Sequence, residues 1–121
     1  MSNKTKLSRQ LTALLDDLFP GHKYKLSFQE YHAQHFGNEI IEYEFENFLL
    51  SIVKDRNEIS VDLIPKANPD SNIGLPNFLE SINAAKATDF VENDFQSVKR
   101  QLELLSRNFP KIQEKLNNSD K

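Results

Sequence analysis

The sequence of 121 residues contains no cysteine and no tryptophan, and only three of its residues are glycine. Without cysteine the chain has no disulfide bonds, thiol catalysis, zinc fingers or iron–sulfur clusters. With so few glycines it has no glycine-rich phosphate-binding loop. No apolar run approaches the roughly 20 residues that a membrane-spanning helix needs. We therefore expect a protein without a cofactor or a bound metal, which does not enter a membrane.

A strong net charge is also lacking. Lys and Arg number 15 against 18 for Asp and Glu, which gives a formal charge of −3 and argues against nucleic acid as a partner. The N-terminus has charged residues but no apolar segment of the kind found in secretion signals, so we expect a cytoplasmic protein. The length predicts one domain over residues 1–121, with residues 1–3 and 118–121 disordered.

The first regular pattern is a stripe of leucines at helical spacing. It predicts an amphipathic helix over residues 4–19, which Pro20 and Gly21 end. The leucines of this stripe are Leu7, Leu11, Leu14, Leu15 and Leu18. Because lysine and arginine occur near the start and aspartate near the end, the charges oppose the helix dipole. We therefore expect the helix to form only when its stripe is docked on an apolar surface.

Between residues 23 and 65 the apolar period changes from 3.6 to 2, which predicts strands. Two strands of a hairpin place Tyr24, Leu26, Phe28, Ile41, Tyr43 and Phe45 in the core. Residues 48–53 are apolar on nearly both faces, as in a central strand, and residues 59–63 alternate, as in an outer one. The turn over residues 54–58 should place Asn57 in a left-handed conformation. A change of phase before Phe48 predicts a bulge or bend near Asn47.

The last third of the chain reads as a loop followed by helices. Residues 67–74 are rich in turn formers, and Pro76 suits the first turn of a short helix. Asp89 and Glu92 have the spacing of a capping box for a longer helix. An apolar stripe in 3-4 spacing then has coiled-coil character, but Pro110 predicts a break and a frayed tail that ends near Asn117. The residues of this stripe are Phe95, Val98, Leu102, Leu105, Phe109, Ile112 and Leu116.

Together these elements predict an α+β fold. It consists of an N-terminal helix, an antiparallel meander of three or four strands, and C-terminal helices packed on one face of the sheet.

The acidic residues are unevenly placed. No Lys or Arg occurs between Lys25 and Lys54, an interval that holds Glu30, Glu39, Glu42, Glu44 and Glu46. Alternation predicts that the last three share one solvent-facing side of a strand, about 6.5 to 7 Å apart. Such a row is either an ordinary solvated face or a docking surface for a basic protein. A catalytic pair is disfavoured because a general acid requires a buried environment.

Other candidate sites carry less information. Asp55 and Arg56 at the predicted hairpin tip, with Asp62 on the next strand, could extend a docking surface. His32 and His35 have a spacing that metal sites sometimes use, but side chains three apart on a strand face opposite sides, so polar loop histidines are the favoured interpretation. The sequence thus proposes partner contacts at Glu42, Glu44, Glu46, Asp55, Arg56 and Asp62, and no catalytic residue.

Residues 51–79 carry a resemblance. An Asp-Arg turn between two apolar strands, a polar loop, and a helix opening at Leu75-Pro-Asn-Phe-Leu79 together resemble small bacterial immunity-type proteins of polymorphic toxin and contact-dependent inhibition systems. Asn57 stands where related sequences often have glycine, and Phe78 where they often have an aromatic such as tryptophan. The resemblance implies a non-enzymatic protein that binds and blocks a cognate toxin, which an acidic strand would suit if the toxin is a basic nuclease.

Two other functions fit the composition. Small acidic chaperones of type III secretion resemble the chain in size, charge and N-terminal helix, and they act as homodimers on an effector segment. Their strands are typically interrupted by a helix, whereas all strands predicted here lie between residues 23 and 65. An enzyme or small-molecule-binding domain has only the histidine and carboxylate clusters in its favour. The chain is expected to be a monomer or a homodimer.

Overall fold

One helix, a sheet of five strands and three further helices follow one another along the chain. The computed structural model describes residues 5–21, 24–34, 37–90 and 93–118. The elements are α1 (Lys6–Leu18), β1 (Lys25–His32), β2 (Asn38–Glu44), β3 (Phe48–Asp55), β4 (Glu58–Pro65), β5 (Ile73–Gly74), α2 (Leu75–Ser81), α3 (Phe95–Arg107) and α4 (Phe109–Asn118), with one turn of 3₁₀ helix at Ala87–Asp89. This arrangement confirms the predicted α+β class. No helix among the described residues is both long enough and apolar enough to cross a bilayer.

The sheet is an antiparallel meander in which the strands lie in sequence order, from β1 to β5. β3 is central, as its continuous apolar run predicts, and its residues Phe48, Leu50 and Ile52 are completely buried. The fifth strand is a correction, because Ile73 and Gly74 pair with Leu63 and Asp62 where the turn formers predicted an exposed loop. β5 has only two residues, so it gives β4 a short neighbour at that edge of the sheet.

The helices cover one face of the sheet. The side chains of β2 to β4 that point to this face alternate with those that do not, and Tyr43, Leu50 and Leu63 are completely buried there. Leu11 of α1 and Leu102 of α3 belong to the same apolar cluster. A fully buried side chain of this size contributes about 1.5 to 3 kcal/mol relative to its exposed state, so the cluster stabilises helices and sheet together.

α1 begins with a reciprocal cap formed by Thr5 and Ser8, which was not predicted from the sequence. The Ser8 backbone N–H donates to Thr5 Oγ1 at 3.1 Å, and the Thr5 N–H donates to Ser8 Oγ at 2.9 Å. Two backbone donors are satisfied in this way, and caps of this kind are worth about 0.5 to 2 kcal/mol. The cap and the buried leucine stripe together offset the unfavourable order of charges along the helix.

The change of apolar phase before Phe48 is a bend at which the chain reverses between β2 and β3. The Phe45 N–H donates to the Phe48 carbonyl at 2.8 Å across this bend. The irregularity of strand pairing lies instead in β1, between Leu26 and Phe28. Because of that irregularity Leu26 and Phe28 face opposite sides of the sheet, and they are 42% and 44% exposed. The prediction that both belong to the core is therefore wrong.

The turn between β3 and β4 has two central residues, Arg56 and Asn57, between the paired Asp55 and Glu58. The left-handed residue is Arg56, with φ at +61°, and not Asn57 as predicted. A positive φ at the first central position alone is typical of a type II′ turn, which suits the twist of paired strands. The Arg56 N–H donates to Asn38 Oδ1 at 2.7 Å, which ties the turn to the start of β2.

In the C-terminal part, Pro76 lies in the first turn of α2, as predicted. The cap of α3 is Asp94, whose carboxylate accepts the Ser97 N–H at 3.0 Å, and not the predicted Asp89 with Glu92. Asp89 lies in the 3₁₀ turn, while Glu92 is outside the described residues.

The stripe is interrupted near the predicted place, but the break lies at Asn108 and not at Phe109 and Pro110, which form the first turn of α4. The predicted frayed tail is wrong, because the residues that follow form α4. Phe109, Ile112 and Leu116 are buried in the domain's own core, so the apolar stripe forms no coiled coil. Residues 1–3 and 119–121 lie outside the described residues, and Asn118 is the last residue of α4.

Candidate protein-binding surface

Four of the six predicted contact residues come together on the face of the sheet that points away from the helices. We call it the open face. Alternation along the paired strands assigns side chains to it. They are Lys25, Phe28, Glu30, His32, Asn38, Ile40, Glu42, Glu44, Leu49, Ser51, Val53, Asp55, Glu58, Ser60, Asp62 and Ile64.

An acidic row crosses the middle of this face. Glu42 of β2 is opposite Ser51 of β3, which is in turn opposite Asp62 of β4. Because neighbouring strands are about 4.8 Å apart, the two acidic residues are separated by roughly 10 Å across a small side chain. Glu42 and Asp62 are half-buried, and no basic side chain among the described residues forms an ion pair with either. The row therefore has one carboxylate on each side of the gap above Ser51.

Apolar side chains flank the acidic row on both sides. Ile40 is paired with Val53 toward the hairpin tip, and Leu49 is paired with Ile64 toward the other end of the strands. All four are half-buried by their neighbours in the sheet, and the helices lie on its other side. Phe28 of the edge strand β1 is paired with Glu42, so an apolar side chain lies at that end of the acidic row. Apolar area around a few charged groups is the composition of many protein interfaces.

Glu44 differs from Glu42 because it is neutralised. Lys66 Nζ lies 2.7 Å from one carboxylate oxygen of Glu44, and Lys25 Nζ lies 3.9 Å from the other. The hydrogen bond from Lys66, with the positive charges of both lysines, lowers the pKa of the Glu44 carboxyl. These lysines are 19 and 22 residues away in sequence, and only the folding of the sheet brings them to Glu44. At this end, therefore, the open face carries an ion-paired cluster.

The other glutamates of the acidic interval are dispersed. Glu46 lies in the bend after β2 and is exposed, so it does not continue the row as predicted. Glu39 is 2% exposed on the helix-covered face, where its carboxylate accepts hydrogen bonds from Thr5 Oγ1 and Gln29 Nε2. Glu30 is on the open face, and its Oε1 lies 2.8 Å from His32 Nε2.

No family model, curated protein or solved structure matches the chain.

The hairpin tip continues the open face. Asp55 and Glu58 are paired at the ends of β3 and β4, both exposed, and Arg56 projects from the turn between them. The face and its tip thus carry six carboxylates, against the three basic groups of Lys25, Lys66 and Arg56. These carboxylates belong to Glu30, Glu42, Glu44, Asp55, Glu58 and Asp62.

A cleft of about 680 Å³ adjoins the ion-paired end of the open face. Its walls include Lys25, Glu44 and Lys66, which already bind one another, while Phe45 and Phe109 form a buried floor. Tyr24 borders the cleft and donates a hydrogen bond to Asp16, and partial burial together with this bond raises the pKa of its hydroxyl. Lys25, Glu44, Lys66 and Tyr24 thus have partners within the chain.

The histidine pair gives no metal site that the structure describes. His35 and His22 are outside the described residues, and His32 contacts Glu30. Among residues 5–21, 24–34, 37–90 and 93–118, no group of three or more His, Cys, Asp or Glu side chains could hold a metal ion.

Proposed function

We propose that this chain is a non-enzymatic, cytoplasmic protein of the immunity type, which binds a cognate basic toxin through the open face and neutralises it. The observation that carries the proposal is the acidic row of Glu42, Ser51 and Asp62, which lies between two apolar pairs on a sheet face that none of the described helices covers.

Charge and shape both favour a basic protein as the partner. The gap above Ser51, between carboxylates roughly 10 Å apart, can receive a lysine or arginine side chain, which would then be held by charge-assisted hydrogen bonds. The excess of carboxylates over the face would speed association with a positively charged partner. A toxin that acts on nucleic acid is basic at its substrate-binding surface, so a nuclease fits this description.

Between this function and a type III secretion chaperone, the sheet favours the immunity type. The four long strands β1 to β4 follow one another without an intervening helix. The C-terminal stripe, through which a chaperone-like dimer could have formed, is buried within the domain. The open face is therefore the surface on which a partner is proposed to bind.

The proposal is tested with the C-terminal domain of the protein encoded by the adjacent reading frame. Co-expression with this chain should protect cells from that domain, and the purified proteins should form a complex. A Glu42→Lys and Asp62→Lys double variant should weaken binding at least about tenfold and reduce its dependence on salt, because it reverses the two unpaired charges.

The matched control is Asp17→Lys, which makes the same kind of charge change at an exposed position on α1. This control should bind and protect as the unaltered chain does. The proposal fails if the unaltered chain gives no protection, or if the double variant, folded to the same melting temperature, binds as tightly as the control.

A further inference from the structure

β1 is a long strand with one free edge. Among the described residues it pairs with β2 alone, over eight residues from Lys25 to His32. The exposed large hydrophobic side chains of the described chain all lie on it, namely Leu26, Phe28 and Tyr31. An edge of this length without proline is a template for a further strand.

The hydrogen-bonding pattern of the sheet indicates which backbone groups of β1 face that free edge. The bond from Phe45 N–H to the Phe48 carbonyl continues the register of β2 and β3 by one pair beyond Glu44 and Leu49, and bonded positions alternate along an antiparallel ladder. Glu42 and Glu44 therefore bond toward β1, where their partners are Phe28 and Lys25. The remaining positions of β1 direct their backbone groups outward.

These outward positions are Leu26 and Gln29, with Tyr31 after them. We infer that β1 pairs with β1 of a second copy of this chain, antiparallel about a two-fold axis between Ser27 and Phe28, to form a dimer with one continuous sheet. In this register Leu26 of each copy is opposite Gln29 of the other, so the outward backbone groups of both strands meet. The inference does not depend on the proposed toxin partner.

The side chains of β1 fit the same register. Lys25 and Glu30, the strand's lysine and its acidic residue, come opposite each other twice on the open face. Cross-strand pairs of opposite charge are favourable. The two copies of Phe28 meet beside the axis on that face, where each is otherwise 44% exposed. A register centred on Glu30 would instead place two carboxylates opposite each other.

The irregularity at Ser27 makes this register possible. It shifts the alternation, so that Lys25, Phe28 and Glu30 share the open face while Leu26 and Gln29 share the other. In a regular strand, Lys25 and Glu30 would point to opposite sides, because they are five positions apart. In the dimer the two irregularities lie next to each other across the axis.

A charge exchange tests the dimer. By light scattering, the unaltered chain should have twice the 14.0 kDa chain mass at high concentration. Lys25→Glu alone, or Glu30→Lys alone, should raise the dimer dissociation constant by about ten- to thirtyfold, because two attractive pairs become repulsive. The double variant carrying both changes should recover the original constant.

This recovery identifies an intermolecular contact. Positions 25 and 30 are about 16 Å apart along one strand, so they cannot restore each other within a single chain. The matched control is Lys99→Glu, at an exposed position on α3, and it should leave the dimer dissociation constant unchanged. A monomer at high concentration overturns the inference, as does a double variant no better than the single ones. The inference is also overturned if the chain is monomeric alone and the amides of β1 are protected from hydrogen exchange only when a toxin domain is added. In that case the free edge of β1 binds the toxin and not a second copy of the chain.

Discussion

Ile112 gives the sharpest test of how the C-terminal segment is held. Its side chain is completely buried, although Pro110 in the sequence predicts that this segment is frayed. Replacing Ile112 by alanine removes buried methyl groups and leaves a cavity, which costs about 3 kcal/mol at a closely packed site. For 121 residues the unfolding entropy is about 0.25 kcal/mol/K, so the melting temperature should fall by about 12 °C.

Thermal and urea unfolding, followed by circular dichroism, measure this change. The urea m-value should stay constant, since the surface exposed on unfolding is nearly the same. Glu114→Ala on the exposed side of α4 is the control, and it should shift stability by less than about 0.5 kcal/mol. If Ile112→Ala lowered the stability no more than the control does, α4 would not be packed against the core, which would refute the prediction.

Two further predictions concern a cap and an ion pair. Asp94→Ala should lower the free energy of unfolding by about 1 kcal/mol, because it removes the cap of α3, whereas Asp89→Ala should cost less; denaturant titration distinguishes the two, and equal losses would contradict the assigned cap. Glu44 has a lowered pKa, so its pair with Lys66 stabilises the fold above the carboxyl's ordinary value of 4.5 and loses that effect as the pH falls through the lowered pKa. The stability difference between the unaltered chain and Glu44→Gln should therefore be present at pH 7 and vanish in acid, and a difference independent of pH would contradict this assignment.

Local patterns were sufficient for most of the fold. The leucine stripe predicts a helix over residues 4–19, which contains α1; the two-residue period locates β2 and β4, and the continuous apolar run locates β3. Pro76 marks a helix start and Pro110 a nearby helix break, because a proline ring has the same steric effect in any context. These features depend on neighbours in sequence, which a single chain displays directly.

Features that depend on residues far apart were not predictable in the same way. Leu26 and Phe28 appear in phase in the sequence, but the irregularity between them and the open edge of the sheet leave both exposed. Only the pairing of strands shows that Lys66 neutralises Glu44. Asp94 caps α3 three residues before Ser97, a spacing that the more regular pattern of Asp89 and Glu92 obscured.

The acidic surface, too, depends on residues that are far apart in the sequence. The sequence shows five glutamates in an interval without lysine or arginine, which indicates an acidic strand. In the folded chain only Glu42 keeps the unpaired, open-face position expected of Glu44 and Glu46 as well. Asp62 joins it from another strand, through a register that only the sheet defines. The acidic feature is therefore a row across three strands and not a run along one.

Methyl chemical shifts measure most directly whether the open face is the binding surface. On addition of the toxin domain encoded by the adjacent reading frame, the methyl groups of Ile40, Val53 and Ile64 should shift strongly. Those of Leu104, in the helical layer, should hardly move. Shifts concentrated on the helical layer, with the open-face methyl groups unchanged, would contradict the account.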